Sequence, residues 1–329
     1  MRRVLYVRVG AWAAALLLGT SAANGASKRL PQSIQTPNET AAPALTGTIT
    51  QYPTFPLRVS KTFQTIWAER YFSTTSGLGG IGTDPLLNSL LTISYNARTG
   101  VYTLKDTADS ETMSATFRPT SRTTQGPIDY YRTSSPTATD QLQLYNNVRL
   151  GTSATGAPVK LTYLSYGAWS HDNLTTGATW ERYFLFGYPT ASRDMPLSGT
   201  ASYSTAVSAN VRTEIPSAGD AMLRGSATFT ANFAQGIVNT SLTLAYSDSI
   251  SYAYSGSGPI SASSFSGPFS SSTDPYFNLG SFAGSFYGPK ATEMGYVFAI
   301  ERGEADPYAG ASVAPPLSWI VGAVVGKKS

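Results

Sequence analysis

From residue 196 onward the chain alternates between apolar and polar positions. In Gly225 to Phe233, Ala227, Phe229, Ala231 and Phe233 fall on one side of an extended backbone, and Ser226, Thr228, Thr230 and Asn232 on the other. Successive strand residues point to opposite faces, so this pattern predicts a strand with one packed and one wet face. Val238, Leu242, Leu244 and Tyr246 alternate in the same way with Asn239, Ser241 and Thr243, after the short link Ala234-Gln235-Gly236. The two runs predict a hairpin. Comparable runs are Gly199 to Val207, Gly280 to Tyr287, Gly295 to Glu301 and Trp319 to Lys327, with weaker ones at Ala209 to Thr213 and Ser249 to Tyr254. About eight antiparallel strands in so short a stretch protect their edges by closing, which predicts a β-barrel over 196–329. The Ser/Gly/Pro-rich Ser255 to Asp274 reads as a long loop.

Upstream, 61–195 consists of short aromatic or β-branched runs broken by Gly, Pro, Asn and Asp: Phe63 to Ser73, Leu90 to Tyr95, Val101 to Lys105, Leu161 to Trp169 and Thr179 to Phe186. These predict a β-rich domain ending near Met195-Pro196. One helix of about two turns is predicted over Pro85 to Leu91, capped by Thr83 or Asp84. The segment Glu69-Arg70-Tyr71-Phe72 is echoed by Glu181-Arg182-Tyr183-Phe184, too short a match to define a repeat. Ser27 to Pro56 is rich in Pro, Thr, Ala and Gln without apolar period, and 27–60 reads as a flexible tether. The fold class is all-β.

The first 26 residues change the picture of where the protein works. Arg2, Arg3 and Arg8 precede the apolar run Ala11 to Leu18, and small residues follow to Ala26. That is the three-part composition of a secretory signal peptide, with cleavage expected after Ala23 or Ala26. The run is well short of the roughly 20 residues of a membrane-spanning helix. Export to the periplasm, cell surface or exterior is expected. The formal charge is +4, of which the three leader arginines account for three, leaving +1. So small a charge gives nucleic acid or anionic lipid no hold as a partner. There is no cysteine, which removes disulfides, thiolate metal sites, cysteine nucleophiles and the residue a bacterial lipid anchor needs.

The order Gly199-Thr200-Ala201-Ser202-Tyr203, Gly225-Ser226-Ala227-Thr228 with Asn232-Phe233, and Gly284-Ser285-Phe286-Tyr287-Gly288-Pro289-Lys290-Ala291-Thr292-Glu293-Met294-Gly295 resembles the barrel domain of transferrin-binding protein B. The Phe286 to Gly295 segment is its most specific part. The resemblance covers about 196–329 and implies a handle β-domain (61–195) followed by an eight-stranded antiparallel barrel. Members of that family include receptors for host iron carriers and haem carriers. The resemblance therefore implies an exported binding protein for an unknown solute or a host or bacterial protein, in iron or haem acquisition. This chain has one handle–barrel unit and no lipidated cysteine, which fits a freely secreted or periplasmic single-lobe member. Phe286, Tyr287, Gly288, Pro289, Glu293 and Gly295 are expected to maintain the fold. Gly288-Pro289 is expected to turn between two strands, and Glu293 either to bond backbone donors from a buried position or to be exposed.

Enzyme motifs fail on context. Gly77-Leu78-Gly79-Gly80-Ile81-Gly82 matches the dinucleotide spacing, but no alternating βαβ pattern follows it. Gly322 to Ser329 looks like a phosphate-binding loop one residue short, ending where its helix would begin. The single histidine, His171, has no G-x-S-x-G elbow to serve, and the sparse carboxylates show no pairing for glycoside hydrolysis. No enzymatic activity is expected.

His171 is the one ligand-binding candidate. It is read as lying on a loop before the barrel, where it could serve as an axial haem ligand with Tyr166, Trp169 and Trp180 stacking on the porphyrin, or be an ordinary turn residue beside Asp172 and Asn173. Otherwise no cofactor is expected. Tyr130-Tyr131 could mimic a ferric-ion pair but reads as sheet packing. Three functional readings stay open: a solute binder using the barrel mouth or junction, a protein-interaction module using Ser255 to Asp274, and an integral outer-membrane barrel. The last would require a lipid-facing apolar band.

Overall fold

The computed structural model describes residues 60–73, 79–108, 112–125, 128–145, 159–213, 220–247, 250–303 and 318–329. The expected leader, and all of the expected tether except Ser60, lie outside these residues.

Nine antiparallel strands form a curled sheet: β1 (Lys61–Ser73), β2 (Gly79–Asn96), β3 (Val101–Asp106), β4 (Met113–Phe117), β5 (Arg122–Gln125), β6 (Ile128–Ser134), β7 (Ala138–Tyr145), β8 (Leu164–Asn173) and β9 (Ala178–Gly187). Their spatial order is β4-β3-β2-β1-β9-β8-β7-β6-β5, so β1 is flanked by β2 and β9. Eight more close into an antiparallel barrel in sequence order: β10 (Thr200–Thr213), β11 (Asp220–Asn232), β12 (Ile237–Ala245), β13 (Ser251–Ser261), β14 (Ser264–Ser270), β15 (Phe277–Tyr287), β16 (Glu293–Arg302) and β17 (Ser318–Lys328). The β10–β17 ladder makes the closure, running from Tyr203 opposite Lys328 to Thr213 opposite Ser318.

The described inward positions of the barrel carry rings packed on one another. Phe229 lies 5.1 Å from Phe265, Phe265 lies 5.1 Å from Phe286, and Phe282 lies 5.6 Å from Tyr296, centroid to centroid. Tyr203, Phe229, Phe265, Phe282, Phe286, Tyr296 and Phe298 are all buried in this cluster. Two phenols find partners there: Tyr296 meets the Thr240 hydroxyl at 2.9 Å, and Tyr203 donates to the Ala291 carbonyl at 2.7 Å. A buried hydroxyl without a partner costs free energy, so these bonds are what permit tyrosine in such a core.

The outer face of the barrel is divided. On β11 and β12 the outward side chains Arg224, Thr228, Thr230 and Asn239 are exposed, giving the alternation seen in the sequence. On β15 to β17 the outward Ala283, Val297, Ala299, Val321, Ala323 and Val325 are buried against Ile66, Ala68, Tyr166, Ala168 and Leu185 of the curled sheet. The sheet's opposite face encloses a second core, including Phe63, Trp67, Leu104, Phe117, Trp169 and Phe184. An outer wall that is part hydroxyls and part covered by another sheet has no continuous band for lipid, which sets aside the integral-membrane reading.

Three sequence expectations need correction. Residues 85–91 are strand, not helix: they lie within β2, where register shifts at Gln64/Thr65 and Thr65/Trp67 let the ladder pass an irregular stretch. Ser255 to Asp274 is no long loop but carries the end of β13 and all of β14. Its glycines reflect close backbone contact; a Cβ on Gly258 would fall 1.9 Å from the Ser266 carbonyl oxygen. Conversely, Gly199 to Val207 and Ala209 to Thr213 are one strand, β10. The expected strand number came from two opposite errors that cancel.

Candidate binding surface

The Phe286 to Gly295 segment joins the barrel to the curled sheet. Phe286 points into the barrel core, whereas Tyr287, its neighbour on the strand, points out into the interface. Gly288 has φ 70°, and a Cβ there would lie 2.3 Å from the Tyr163 ring, so both backbone and space require glycine. Its N–H donates to the Tyr188 carbonyl at 2.9 Å, and its carbonyl accepts the Thr190 hydroxyl at 2.6 Å. Pro289 begins a single 3-10 turn that ends β15–β16 pairing. Glu293 is fully buried and accepts the backbone N–H groups of Thr162, Tyr163 and Leu164 at 2.5, 2.8 and 3.0 Å. Burial pushes its carboxyl above the usual range, against the opposing pull of those donors and of Lys327. Gly295 lies against Leu164 and Leu185. Tyr287, Gly288, Glu293 and Gly295 thus pack or bond at the junction, and Phe286 packs in the barrel core.

A second junction contact is ionic. Arg70 pairs with Glu181, approaches Asp220 at 3.0 Å and donates to the Trp319 carbonyl at 3.4 Å, while Asn210 donates to Glu181 at 3.2 Å. Burial raises the Glu181 carboxyl, and Arg70 works against that shift. Facing the other core, the fully buried Arg182 pairs with Asp106 at 2.7 Å and Glu69 at 3.2 Å, between the rings of Trp67 and Trp169.

His171 is on strand β8, not on a loop: Asp140 lies opposite it on β7 and Trp180 opposite it on β9. Asp140 holds both the His171 Nδ1 at 2.8 Å and the Trp169 indole N–H at 2.9 Å. His171 lies 5.8 Å from Trp180 and 6.2 Å from Trp169, and Trp180 lies 5.1 Å from Tyr71. Tyr166 is not part of this group; it faces the barrel interface, stacked on Tyr145. Strand alternation separates it from His171, five residues on. Tyr71, His171 and Trp180 are all partly exposed.

These residues lie at the end of β1 nearest the barrel's loops, on the sheet face turned away from the barrel, whereas Phe72 points toward it. The Phe72 ring is 6.1 Å from Trp319 at the start of β17, and the Arg212 guanidinium lies 4.6 Å over Phe72. At the same end of the barrel, Asp274 grips Arg302 through both carboxylate oxygens at 2.6 and 3.0 Å and accepts the Tyr254 hydroxyl at 2.7 Å. The Arg302 guanidinium lies 4.5 Å from the Tyr246 ring, 4.7 Å from Tyr252 and 5.8 Å from Tyr276. The sequence singled out His171 and Trp180 but not Tyr71, which comes from a distant strand, and it marked nothing of the Arg–Tyr cluster, which is assembled from separate strand ends.

Tyr130 and Tyr131 are on β6 and point to opposite faces, so they cannot share one ion. Tyr131 is buried, edge-on to Tyr102 at 5.7 Å, and burial pushes its phenol up to about 12, away from the phenolate that iron would need. Gly79 to Gly82 are strand, and Gly322 to Lys328 belong to β17, so neither glycine motif forms a phosphate cradle.

Residues 195–314 match the family of C-lobe and N-lobe beta barrels of Tf-binding protein B. The matched residues take in strands β10 to β16 of the closed barrel. Among solved structures, intact Ap-TbpB with its N and C lobes is 14% identical over 80% of this chain, at a TM-score of 0.45. This chain spans about half of that protein, covering 46% of its length. The isotype 1 transferrin-binding protein B of serogroup B Neisseria meningitidis is 13% identical, with 83% of this chain and 77% of that chain covered and a TM-score of 0.35. HpuA from Kingella denitrificans, in complex with human haemoglobin, is 13% identical, with coverages of 84% and 89% and a TM-score of 0.36. No curated protein matches the chain. The match includes the Phe286 to Gly295 segment.

Proposed function

We propose that this chain is an exported, non-enzymatic binding protein that takes a macromolecular partner on its loop end, in iron or haem acquisition. The observation that carries this reading is the filled barrel. With rings occupying the inward positions, the fold leaves recognition to its outer surface. At the loop end that surface presents partly exposed Tyr, Trp and Arg side chains, the types that dominate protein–protein binding energy. The matched family is named for binding transferrin, which makes an iron carrier the first partner to test.

Immobilised protein is titrated with iron-loaded transferrin, haemoglobin and free haem. Saturable binding of one of the two proteins, weakened at least tenfold by Trp180→Ala or Tyr246→Ala, is expected. Failure of both proteins to bind overturns the reading.

A second reading has one observation in its favour. Asp140 fixes the His171 ring through Nδ1, which leaves Nε2 as the nitrogen for a ligand, the arrangement metal-binding histidines use. Free haem bound tightly, with a spectrum that His171→Ala changes, would favour it over the protein-docking reading.

A further inference from the structure

The barrel has two unlike ends. At the loop end its strands are joined through 214–219, 246–250, 271–276 and 303–317, and at the opposite end by the short turns 233–236, 262–263 and 288–292. The short-turn end gathers exposed cations around the 288–292 turn. Lys290 is in that turn. The backbone N–H of Lys328 donates to the Thr292 carbonyl at 2.9 Å, and its ammonium lies 5.9 Å from the Phe233 ring centroid. Arg193 comes three residues after Thr190, whose N–H donates to the Phe286 carbonyl at 2.9 Å. Lys160 comes two residues before Thr162, which bonds Glu293 at the start of β16. All four cations are exposed.

Little opposes this charge. Glu293 is buried and spent on backbone N–H groups. Asp194, 3.9 Å from Arg193, is the one exposed acidic side chain at this end among the described residues. Even with a terminal carboxylate counted at Ser329, cations outnumber anions, which the small net charge of the whole chain conceals. Lys290 also stands at φ 54° and ψ 34°, in the left-handed region that glycine or asparagine enters with less strain. A strained backbone that presents a cation to solvent points to a task for that cation. Among these charges Leu197 is 89% exposed. Aromatic anchors of the kind that carry protein docking are exposed at the loop end, whereas here Phe233 is buried.

We propose that the short-turn end docks on an anionic lipid surface. Lys160, Arg193, Lys290 and Lys328 meet the phosphates, and Leu197 enters the headgroup layer, the basic and apolar mixture that interfacial binding uses. Docked in this way, the barrel turns its loop end away from the surface. The two ends are separate, so lipid binding and partner binding stand or fall independently.

The protein as recovered after export is floated with vesicles of phosphatidylcholine alone and of phosphatidylcholine mixed with phosphatidylglycerol, at low salt and at about 0.15 M salt. Flotation is expected only with the phosphatidylglycerol mixture, and to weaken with salt. A basic side chain near an anionic leaflet is worth roughly fivefold in partitioning. K290Q/K328Q is therefore expected to lower partitioning at least tenfold, and L197D to lower it further. K105Q/R132Q, which removes two exposed cations from the curled sheet, is expected to leave it unchanged. All five positions are exposed, so the variants are expected to keep the wild-type melting curve. No flotation, equal flotation with both vesicles, or equal losses in K290Q/K328Q and K105Q/R132Q overturns the proposal. Retention on heparin that K290Q/K328Q abolishes, without flotation, assigns this end to a soluble polyanion and overturns the lipid surface as its partner.

Discussion

Arg70 and Glu181 stand directly opposite each other across the β1–β9 ladder and form a buried ion pair. One position along, Glu69 stands opposite Arg182 with the charges reversed. The echoed Glu-Arg-Tyr-Phe tetrapeptides therefore pair with one another, and successive positions send one ion pair to each face of the sheet. Removing one partner of such a pair leaves a desolvated charge, which costs about 3–5 kcal/mol. Arg70→Met is expected to destabilise by that amount in urea unfolding, and Arg70→Met with Glu181→Leu to recover most of it. A double variant no more stable than the single would show that Arg70 acts through Asp220 or Trp319 instead.

Phe229 is the centre of the barrel's ring cluster, within 6.2 Å of Tyr203, Phe265, Phe286 and Tyr296. Phe229→Ala is expected to cost about 3–5 kcal/mol through the cavity it leaves. Phe229→Asp, which buries an unpaired charge, is expected to prevent folding. Thr228→Asp, one residue away on the wet face, is expected to change stability by less than about 0.5 kcal/mol in the same denaturation series.

A fragment spanning 196–329 contains every barrel strand, yet it exposes the wall that the curled sheet covers. Val297, Ala299, Val321, Ala323 and Val325 would then face water together. The fragment is expected to show β-type circular dichroism but to self-associate on gel filtration. Val297→Thr with Val321→Thr is expected to shift it toward monomer. A monodisperse wild-type fragment would mean that this wall tolerates solvent.

Burial raises the carboxyls of Glu181 and Glu293 above their unfolded value. The folded protein then takes up these protons at a higher pH than the unfolded chain does. Their contribution to stability is complete below the unfolded value and is lost as pH rises through the folded ones. On acidification from neutral pH toward pH 5, about half a unit above the unfolded carboxyl value, the wild-type melting temperature is expected to gain relative to Glu181→Gln/Glu293→Gln. Parallel curves for the two proteins would contradict the shifts.

The sequence made β11 and β12 legible because one face of each is wet, so Phe229 and Val238 alternate with Thr230 and Asn239. On β16 and β17 both faces are buried, and period two is blurred: Tyr296 enters the barrel while Val297 enters the sheet interface. Ser255 to Asp274 misled for the opposite reason, since its serines are outward strand positions and its glycines make room for neighbouring backbone. Residues 85–91 misled because local capping signals say nothing of the strand pairing that holds them. The His171 neighbourhood was half visible: Trp169 and Trp180 are near in sequence, but Asp140, which orients the ring, comes from another strand. The junction ion pairs required a register between positions more than a hundred residues apart, which no local pattern encodes.

The central place of β1 has a mechanical consequence. The chain arrives at Ser60 and runs straight into a strand of 13 residues, laddered to β2 from Lys61 and to β9 from Ile66 onward. A pull on the chain ahead of Ser60, with a partner gripping the far end, acts along the axis of β1. The backbone bonds to β2 and β9 are then strained together in shear, not peeled one after another, so a load on the leading segment is shared by the whole length of the strand.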